Sequence, residues 1–211
     1  MFRDRADAGR QLGEALRGRI ELTAVVVGLA RGGVEVAAAV ATLLGAPLDA
    51  LAVRKVGHPR QPEYGLGAVT PGGGVYLRSA DGADAAELEL VVRQARLDAD
   101  QLDRELHARH PSYDLGGREC VLVDDGLATG ATMIAAVRWA RAGGARRVTV
   151  AVPVGSPATV ERLEQETDAV VCLSQPEHLM AVGAWYADFS QVSGERVLEL
   201  LDRYHAGAAP G

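Results

Sequence analysis

The sequence predicts an α/β fold: a mainly parallel, twisted sheet with helices on both faces. Three observations predict it. Short, almost wholly apolar runs recur at residues 24–29, 48–53, 121–123, 147–152 and 169–173, the pattern of strands buried on both sides. Segments with helical spacing of apolar residues alternate with these runs. At two strand ends the chain turns at once through small residues into a helix start, at 30–34 and 124–133. In an open α/β sheet ligands bind beyond the strand carboxyl ends, where strand order reverses.

Taken in order, residues 4–18 carry Ala8, Leu12, Ala15 and Leu16 at helical spacing, with Asp4 as candidate cap. The reading there is a plain packing helix. The strand at 24–29 leads through Ala30-Arg31-Gly32-Gly33 into a helix over 34–44. The strand at 48–53 ends in Arg54-Lys55. Residues 56–65 hold two Gly and two Pro and read as a mobile loop. Two short strands, 66–69 and 75–78, flank Pro71-Gly72-Gly73-Gly74 as a hairpin. Residues 83–110 read as one amphipathic helix with Leu88, Val91, Val92, Ala95, Leu102 and Leu106 near one face; Pro111 ends it. His107 and His110 have no further ligand-spaced partner, which argues against a metal site.

After the strand at 121–123 a helix runs on through Trp139 to Gly143-Gly144, its stop signal. The strand at 147–152 is expected to end at Pro153. Ser156 and Pro157 start the next helix as N-cap and first helical residue. The last core strand is 169–173. Residues 174–190 are neither clean helix nor strand but concentrate aromatics in a chain with only 4% of them. They read either as a core-capping segment or as a lid over an apolar planar ligand. A helix over 194–204 closes the order, and the Ala/Gly/Pro stretch at 206–211 is expected to fray.

The totals narrow the function. With 211 residues and 48% apolar residues, one domain with a full core is expected over 1–211: core about 20–173, loop and hairpin about 56–80, C-terminal segment about 174–205. A net charge of −6 argues against nonspecific nucleic-acid binding. Cys120 and Cys172 lie in strand-like runs, so free thiols are expected. No apolar run reaches transmembrane length, and Met1-Phe2-Arg3-Asp4 lacks a signal-peptide apolar core. The expectation is a cytoplasmic protein with no membrane partner.

The chemistry concentrates at 121–133, Val-Leu-Val-Asp-Asp-Gly-Leu-Ala-Thr-Gly-Ala-Thr-Met. A helix N-terminus and the amides of the turn before it favour a phosphate. Adjacent acids at the strand end suit sugar hydroxyls or a hydrated cation beside that phosphate. If this strand neighbours the one at 24–29, then Arg31, two Gly, two Asp and an anion-binding turn share one crevice. Arg54 and Lys55 join from the next strand over. That inventory suits a sugar carrying phosphates at two ends.

Residues 121–133 resemble the phosphoribosyl pyrophosphate (PRPP) signature of the type I phosphoribosyltransferase family. Leu29-Ala30-Arg31-Gly32-Gly33 looks like the family's pyrophosphate loop, where a non-proline cis peptide is common; here it would be Ala30–Arg31. Val53-Arg54-Lys55 with Gly57 and Pro59 is similar to the start of its flexible catalytic loop, and Glu63-Tyr64-Gly65 to a piece of that loop in adenine-type members. The resemblance covers roughly 24–173 and implies the family fold, with a flexible hairpin loop and a small C-terminal hood. It also implies displacement of pyrophosphate from PRPP by a nitrogen nucleophile such as a nucleobase, with Mg²⁺. Asp124, Asp125, Lys55 and Glu63 would be the catalytic residues. The acids would hold the ribose hydroxyls directly or through Mg²⁺, which PRPP and water would otherwise bind. Gly126, Leu127, Ala128, Thr129, Gly130, Ala131 and Thr132 would take the 5′-phosphate. Ala30, Arg31, Gly32, Gly33 and Arg54 would serve the pyrophosphate side. Dimers are usual in the family, so a homodimer is an expectation.

The acceptor is less sharply marked. Enzymes for 6-oxopurines carry an Asp where this chain has Ala128, which resembles adenine or orotate enzymes instead. Yet Pro176-Glu177-His178-Leu179-Met180 is similar to the hood of 6-oxopurine enzymes. Leu179 would then stand at the base-stacking position, or Trp185 or Tyr186 in its place. The chain also resembles a group of bacterial phosphoribosyltransferase-like proteins without an assigned acceptor more than any assigned enzyme. The alternative function is a non-catalytic regulator that binds PRPP or a nucleotide.

Overall fold

The computed structural model describes residues 1–78, 80 and 82–207, so 208–211 of the expected frayed tail lie outside it. Along the chain come α1 (Arg5–Leu16), β1 (Val25–Ala30), α2 (Gly32–Leu44), β2 (Leu48–Ala52), β3 (Arg54–His58), β4 (Gln61–Val69) and β5 (Val75–Leu77). They are followed by α3 (Ala85–Leu106), β6 (Glu119–Val123), α4 (Ala131–Ala142), β7 (Arg147–Val154), α5 (Pro157–Glu164), β8 (Ala169–Ser174) and α6 (Gly194–Gly207). Five strands form one parallel sheet in the order β2-β1-β6-β7-β8; β3, β4 and β5 form a separate antiparallel sheet. The predicted parallel sheet flanked by helices is what the chain adopts.

Alternation along the strands sorts the core into two layers. Val25, Val27 and Leu29 of β1, with Leu122 of β6 and Val150 of β7, meet Met133, Ile134 and Val137 of α4 and Leu163 of α5. Val26, Val121 and Val123 face the other way, toward Leu12 and Leu16 of α1, Val36 and Val40 of α2, and Val197 and Leu201 of α6. Helices therefore cover both faces, as near-continuous apolar strands require.

The structure departs from the sequence reading at the end of α3, which stops at Leu106 rather than at Pro111, and in two further places. Residues 56–65, expected as a mobile loop, form most of the β3–β4 hairpin, with register shifts either side of Gly57. Its Gly and Pro residues mark bulges and the turn rather than absence of structure. Val56 and Val69 of this hairpin are buried against Ala95 and Ala99 of α3, which anchors it. Pro153 lies inside β7 rather than ending it. The strand carries it by skipping one pair, between Val152↔Cys172 and Val154↔Ser174.

A buried polar network fixes the C-terminal end of α3. The Asp49 carboxylate, 4% exposed on β2, accepts hydrogen bonds from the Ala50 and Tyr113 amides at 2.8 and 2.9 Å. His107 Nε2 lies 3.0 Å from Asp49 Oδ1, and its Nδ1 lies 3.2 Å from Asp103 Oδ1. Hydrogen bonds to Asp103 and Asp49 raise the His107 pKa from 6.5 to about 10 against the opposing effect of burial. Folding thus favours protonated His107. Its stabilising contribution is complete below about 6.5 and is lost as pH rises through about 10. His107→Leu should therefore lower stability near neutral pH by about 1–3 kcal/mol, the worth of hydrogen bonds to charged groups. The gap to wild type should close toward the alkaline end of a series of urea titrations; a gap independent of pH would refute the assignment.

Candidate active site

β1 and β6 are neighbours, in register from Val25↔Cys120 to Gly28↔Val123. Their carboxyl ends release the 30–33 and 124–130 segments side by side. Between those segments, the β3–β4 hairpin and residues 182–192 lies a cavity of about 660 Å³.

Glycines set how closely the walls approach. A Cβ on Gly33 would lie 2.6 Å from the Val123 carbonyl oxygen and 2.9 Å from Asp124 Cα, so only a bare backbone packs there. A Cβ on Gly32 would lie 2.1 Å from Asp125 Oδ2. The peptide between Ala30 and Arg31 is cis, as the family resemblance implied.

Two helix N-termini open on this cavity. α4 begins behind Gly130, which has φ 73° and gives no side-chain cap; α2 begins behind Arg31, also without one. By contrast α1, α3 and α5 are capped by the Asp4, Asp84 and Ser156 side chains. The first-turn amides of a helix have no partner within it, so these two ends leave donors for an anion. The turn before α4 is held from outside. Leu127 N donates to the Val154 carbonyl at 2.8 Å, Thr159 Oγ1 to the Ala128 carbonyl at 3.0 Å, and Arg162 to the Thr129 carbonyl.

The acids sit at the base of the cavity. Asp125 N donates to Asp124 Oδ1 at 2.9 Å. Burial, then the neighbouring Asp125 charge, hold the Asp124 carboxyl well above the usual carboxylate range, with Lys55 and Arg5 pulling the other way. Arg5 Nε lies 2.9 Å from Asp125 Oδ2. The Tyr186 hydroxyl donates to the Asp125 carbonyl at 2.7 Å. Burial, then the Asp125 charge, raise that phenol's pKa.

Of the sequence-predicted residues, Ala30, Arg31, Gly32, Lys55, Glu63, Asp124, Asp125 and all seven from Gly126 to Thr132 line the cavity. Gly33 lies behind the wall, and Arg54 is not among the lining residues. Leu179, Trp185 and Tyr186 do not line it either; Val182, Phe189, Gln191 and Val192 stand there instead. Tyr186 is buried beneath, its ring 5.4 Å from that of Phe2 and 4.9 Å from that of Phe189. The short Val182–Trp185 helical turn swings the chain so that Val182 faces inward. Arg5 is a lining residue that sequence reasoning missed, because a lone Arg in a first helical turn carries no motif.

A cavity at strand carboxyl ends beside two open helix N-termini is the architecture of a nucleotide- or sugar-phosphate-binding α/β protein. Residues 8–185 match the profile of the phosphoribosyl transferase domain, and the chain belongs to that family. It is 43% identical over 209 residues to Rv0571c of Mycobacterium tuberculosis H37Rv, provisionally named a phosphoribosyl transferase; the match covers 97% of this chain and 47% of that protein. The chain thus spans about half the length of the mycobacterial relatives it matches. The crystal structure of TT1426 from Thermus thermophilus is similar at 46% identity and a TM-score of 0.82, covering 97% of this chain and 99% of that one. A uracil phosphoribosyltransferase from Nocardioides sp. is 38% identical over 69 residues, 33% of this chain and 32% of that protein.

The close approach at Gly33 is testable by stability alone. Gly33→Ala should cost about 1–3 kcal/mol or more in urea unfolding, because both clashing atoms are backbone. Wild-type stability would show that the loops have room to part.

Proposed function

We propose that the chain transfers a phosphoribosyl group from PRPP to a nitrogen nucleophile, releasing pyrophosphate. The observation that carries this reading is the pairing, in one cavity, of two adjacent carboxylates with two uncapped helix N-termini. The turn 126–132 at the α4 N-terminus is suited to the 5′-phosphate. Asp124 and Asp125 are suited to the ribose hydroxyls between the two anionic ends. Arg31, Lys55 and the α2 N-terminus are suited to the pyrophosphate.

In this reading the acceptor nitrogen's lone pair forms a bond to ribose C1. The bond from C1 to the pyrophosphate oxygen breaks, and its electron pair leaves with pyrophosphate. The acceptor's proton is lost to solvent. The ring carries positive charge in the transition state; the Asp125 carboxylate is suited to stabilise it, and the developing cation favours ionised Asp124 against the effect of its burial. Cations on the pyrophosphate side stabilise the charge that leaves. The hairpin bearing Lys55 and Glu63 forms one wall and limits water, which would otherwise compete for C1.

Mg²⁺ fits the donor set. The two carboxylates are hard oxygen ligands, and no group of three or more His, Cys, Asp or Glu side chains among the described residues forms a closed metal cage. Carboxylate oxygens are suited to a magnesium ion that is shared with substrate oxygens and water. When bound, the ion would neutralise pyrophosphate charge. No helix among the described residues is long and apolar enough to cross a membrane.

The acceptor is read from the segment at 182–192. Val182 and Phe189 offer apolar surface and Gln191 an amide able to donate and accept, a set suited to a planar heterocycle. Uracil is the first acceptor to test, given the similarity to a uracil phosphoribosyltransferase over a third of the chain. The chain, PRPP and Mg²⁺ would be incubated with nucleobases and small amines, and pyrophosphate release measured. Release with at least one acceptor is expected, and Asp125→Asn should lower kcat/KM by about 10–100-fold, the worth of a hydrogen bond to a charged group. Unchanged turnover in that variant removes the ribose role. Tight PRPP binding with no release for any acceptor would favour a regulator instead.

A further inference from the structure

Arg5 is the first residue of α1, at the positive end of the helix dipole, where a cation is disfavoured. It is also only 6% exposed, and burying a charge is costly unless it is well paired. Its partners Asp125 and Phe189 lie on the cavity, not in the core. Nε meets Asp125 Oδ2 at 2.9 Å, one terminal nitrogen donates to the Ser190 carbonyl at 2.7 Å, and the guanidinium carbon lies 3.9 Å from the Phe189 ring centroid. Arg5, Asp125 and Phe189 all line the cavity. The ion pair is also butted against the 30–33 loop: a Cβ on Gly32 would come within 2.1 Å of Asp125 Oδ2 and 3.1 Å of Arg5 Nε.

The geometry points to Arg5 as a positioning residue that fixes the Asp125 carboxylate and keys the 182–192 segment to it. One planar fork joins three parts of the chain that are far apart in sequence: the N-terminal helix, the acid pair and the acceptor-side wall. Arginine suits this task because its donors point in fixed directions in one plane while its face stacks on an aromatic ring. Phe189 also lies close to Gly183, whose added Cβ would lie 2.8 Å from Phe189 Cδ1. Resting on the reading above, this sets the acceptor wall at a fixed distance from the atoms that hold the ribose. Lysine in its place keeps the charge but cannot make the Asp125 and Ser190 contacts in the same directions, nor stack in the same way.

The test uses Arg5→Lys and Arg5→Ala in the full chain, with two readouts. In amide hydrogen exchange, both variants should raise exchange at 182–192 by about tenfold or more, the worth of one hydrogen bond to a charged group, while the 61–69 strand stays at wild-type rates. Arg5→Lys serves if the alanine variant fails to fold. In kinetics, Arg5→Lys should lower kcat by about 10–100-fold with a smaller change in the PRPP KM, because an interaction that orients reacting groups is realised mainly in the transition state. Wild-type exchange at 182–192 in Arg5→Lys overturns the proposal. So does raised exchange with unchanged kcat in an active enzyme, which would leave Arg5 purely structural. If the wild-type chain binds no PRPP and releases no pyrophosphate, the transferase reading falls. The exchange result then decides only whether Arg5 keys the 182–192 segment: raised exchange upholds that link, and equal exchange ends it.

Discussion

The parallel pairing of β1 with β6 is the constraint on which the remaining geometry depends. Their register runs from Val25↔Cys120 to Gly28↔Val123, so Ala30 on one strand and Asp124 on the other leave the sheet at adjacent positions. Two strand ends that sit about 5 Å apart leave little room for the turns that follow. Glycine resolves the crowding. Gly28 lets β1 lie under α2, where a Cβ would come 2.6 Å from Val34 Cα, and Gly33 lets α2 start against the Val123 carbonyl. With those side chains absent, the two loops close on each other and the cavity walls are set by backbone. A wall made of backbone is stiffer than one made of side chains, which suits a site that must hold charged groups at fixed separations.

The same constraint explains the treatment of helix ends. α3 and α5 begin outside the cavity lining and α1 brings Arg5 to it, and each of the three has a side chain that accepts from its own first-turn amides. α2 and α4 begin on the cavity and have none. An uncapped end typically costs a helix about 1 kcal/mol. Both helices also follow their strands through turns of few residues, so their positive ends converge on one volume. The acids at 124 and 125 lie in that field, which opposes the effect of burial on Asp124.

The sheet and its order of motifs were legible in the sequence because both faces of the strands are buried, which leaves apolar runs with few rivals. The signature at 121–133 was legible because one short segment carries acids, turn and helix start together. Three things were not. The 56–65 segment looks like a loop because its Gly and Pro residues are bulge and turn signals; its pairing depends on Ala95 and Ala99 of α3, far along the chain. The inward-facing residues of the last segment could not be chosen by aromatic content. Tyr186 and Trp185 are larger and more conspicuous than Val182, yet the turn at 182–185 decides which side chain meets the cavity. Arg5 was invisible because its meaning lies in a contact 120 residues away.

Each of these site features runs against a local rule of stability. Two helices lack caps, two carboxylates are adjacent and half-buried, and an arginine is buried at the wrong end of a helix dipole. Scattered over a surface, such features would be incidental. Here they converge on one cavity, and their electrostatics partly cancel: the arginine answers one acid, and the helix ends answer both. The donors of the two N-termini and the cations Arg31 and Lys55 outnumber the two acids among the described residues of its wall. A site of that kind is left short of negative charge on both sides of a negative centre. In the proposed reading, a ligand with anionic groups at two ends and hydroxyls between them supplies what each part lacks, and that complementarity, more than any single residue, offsets the local costs gathered in one place.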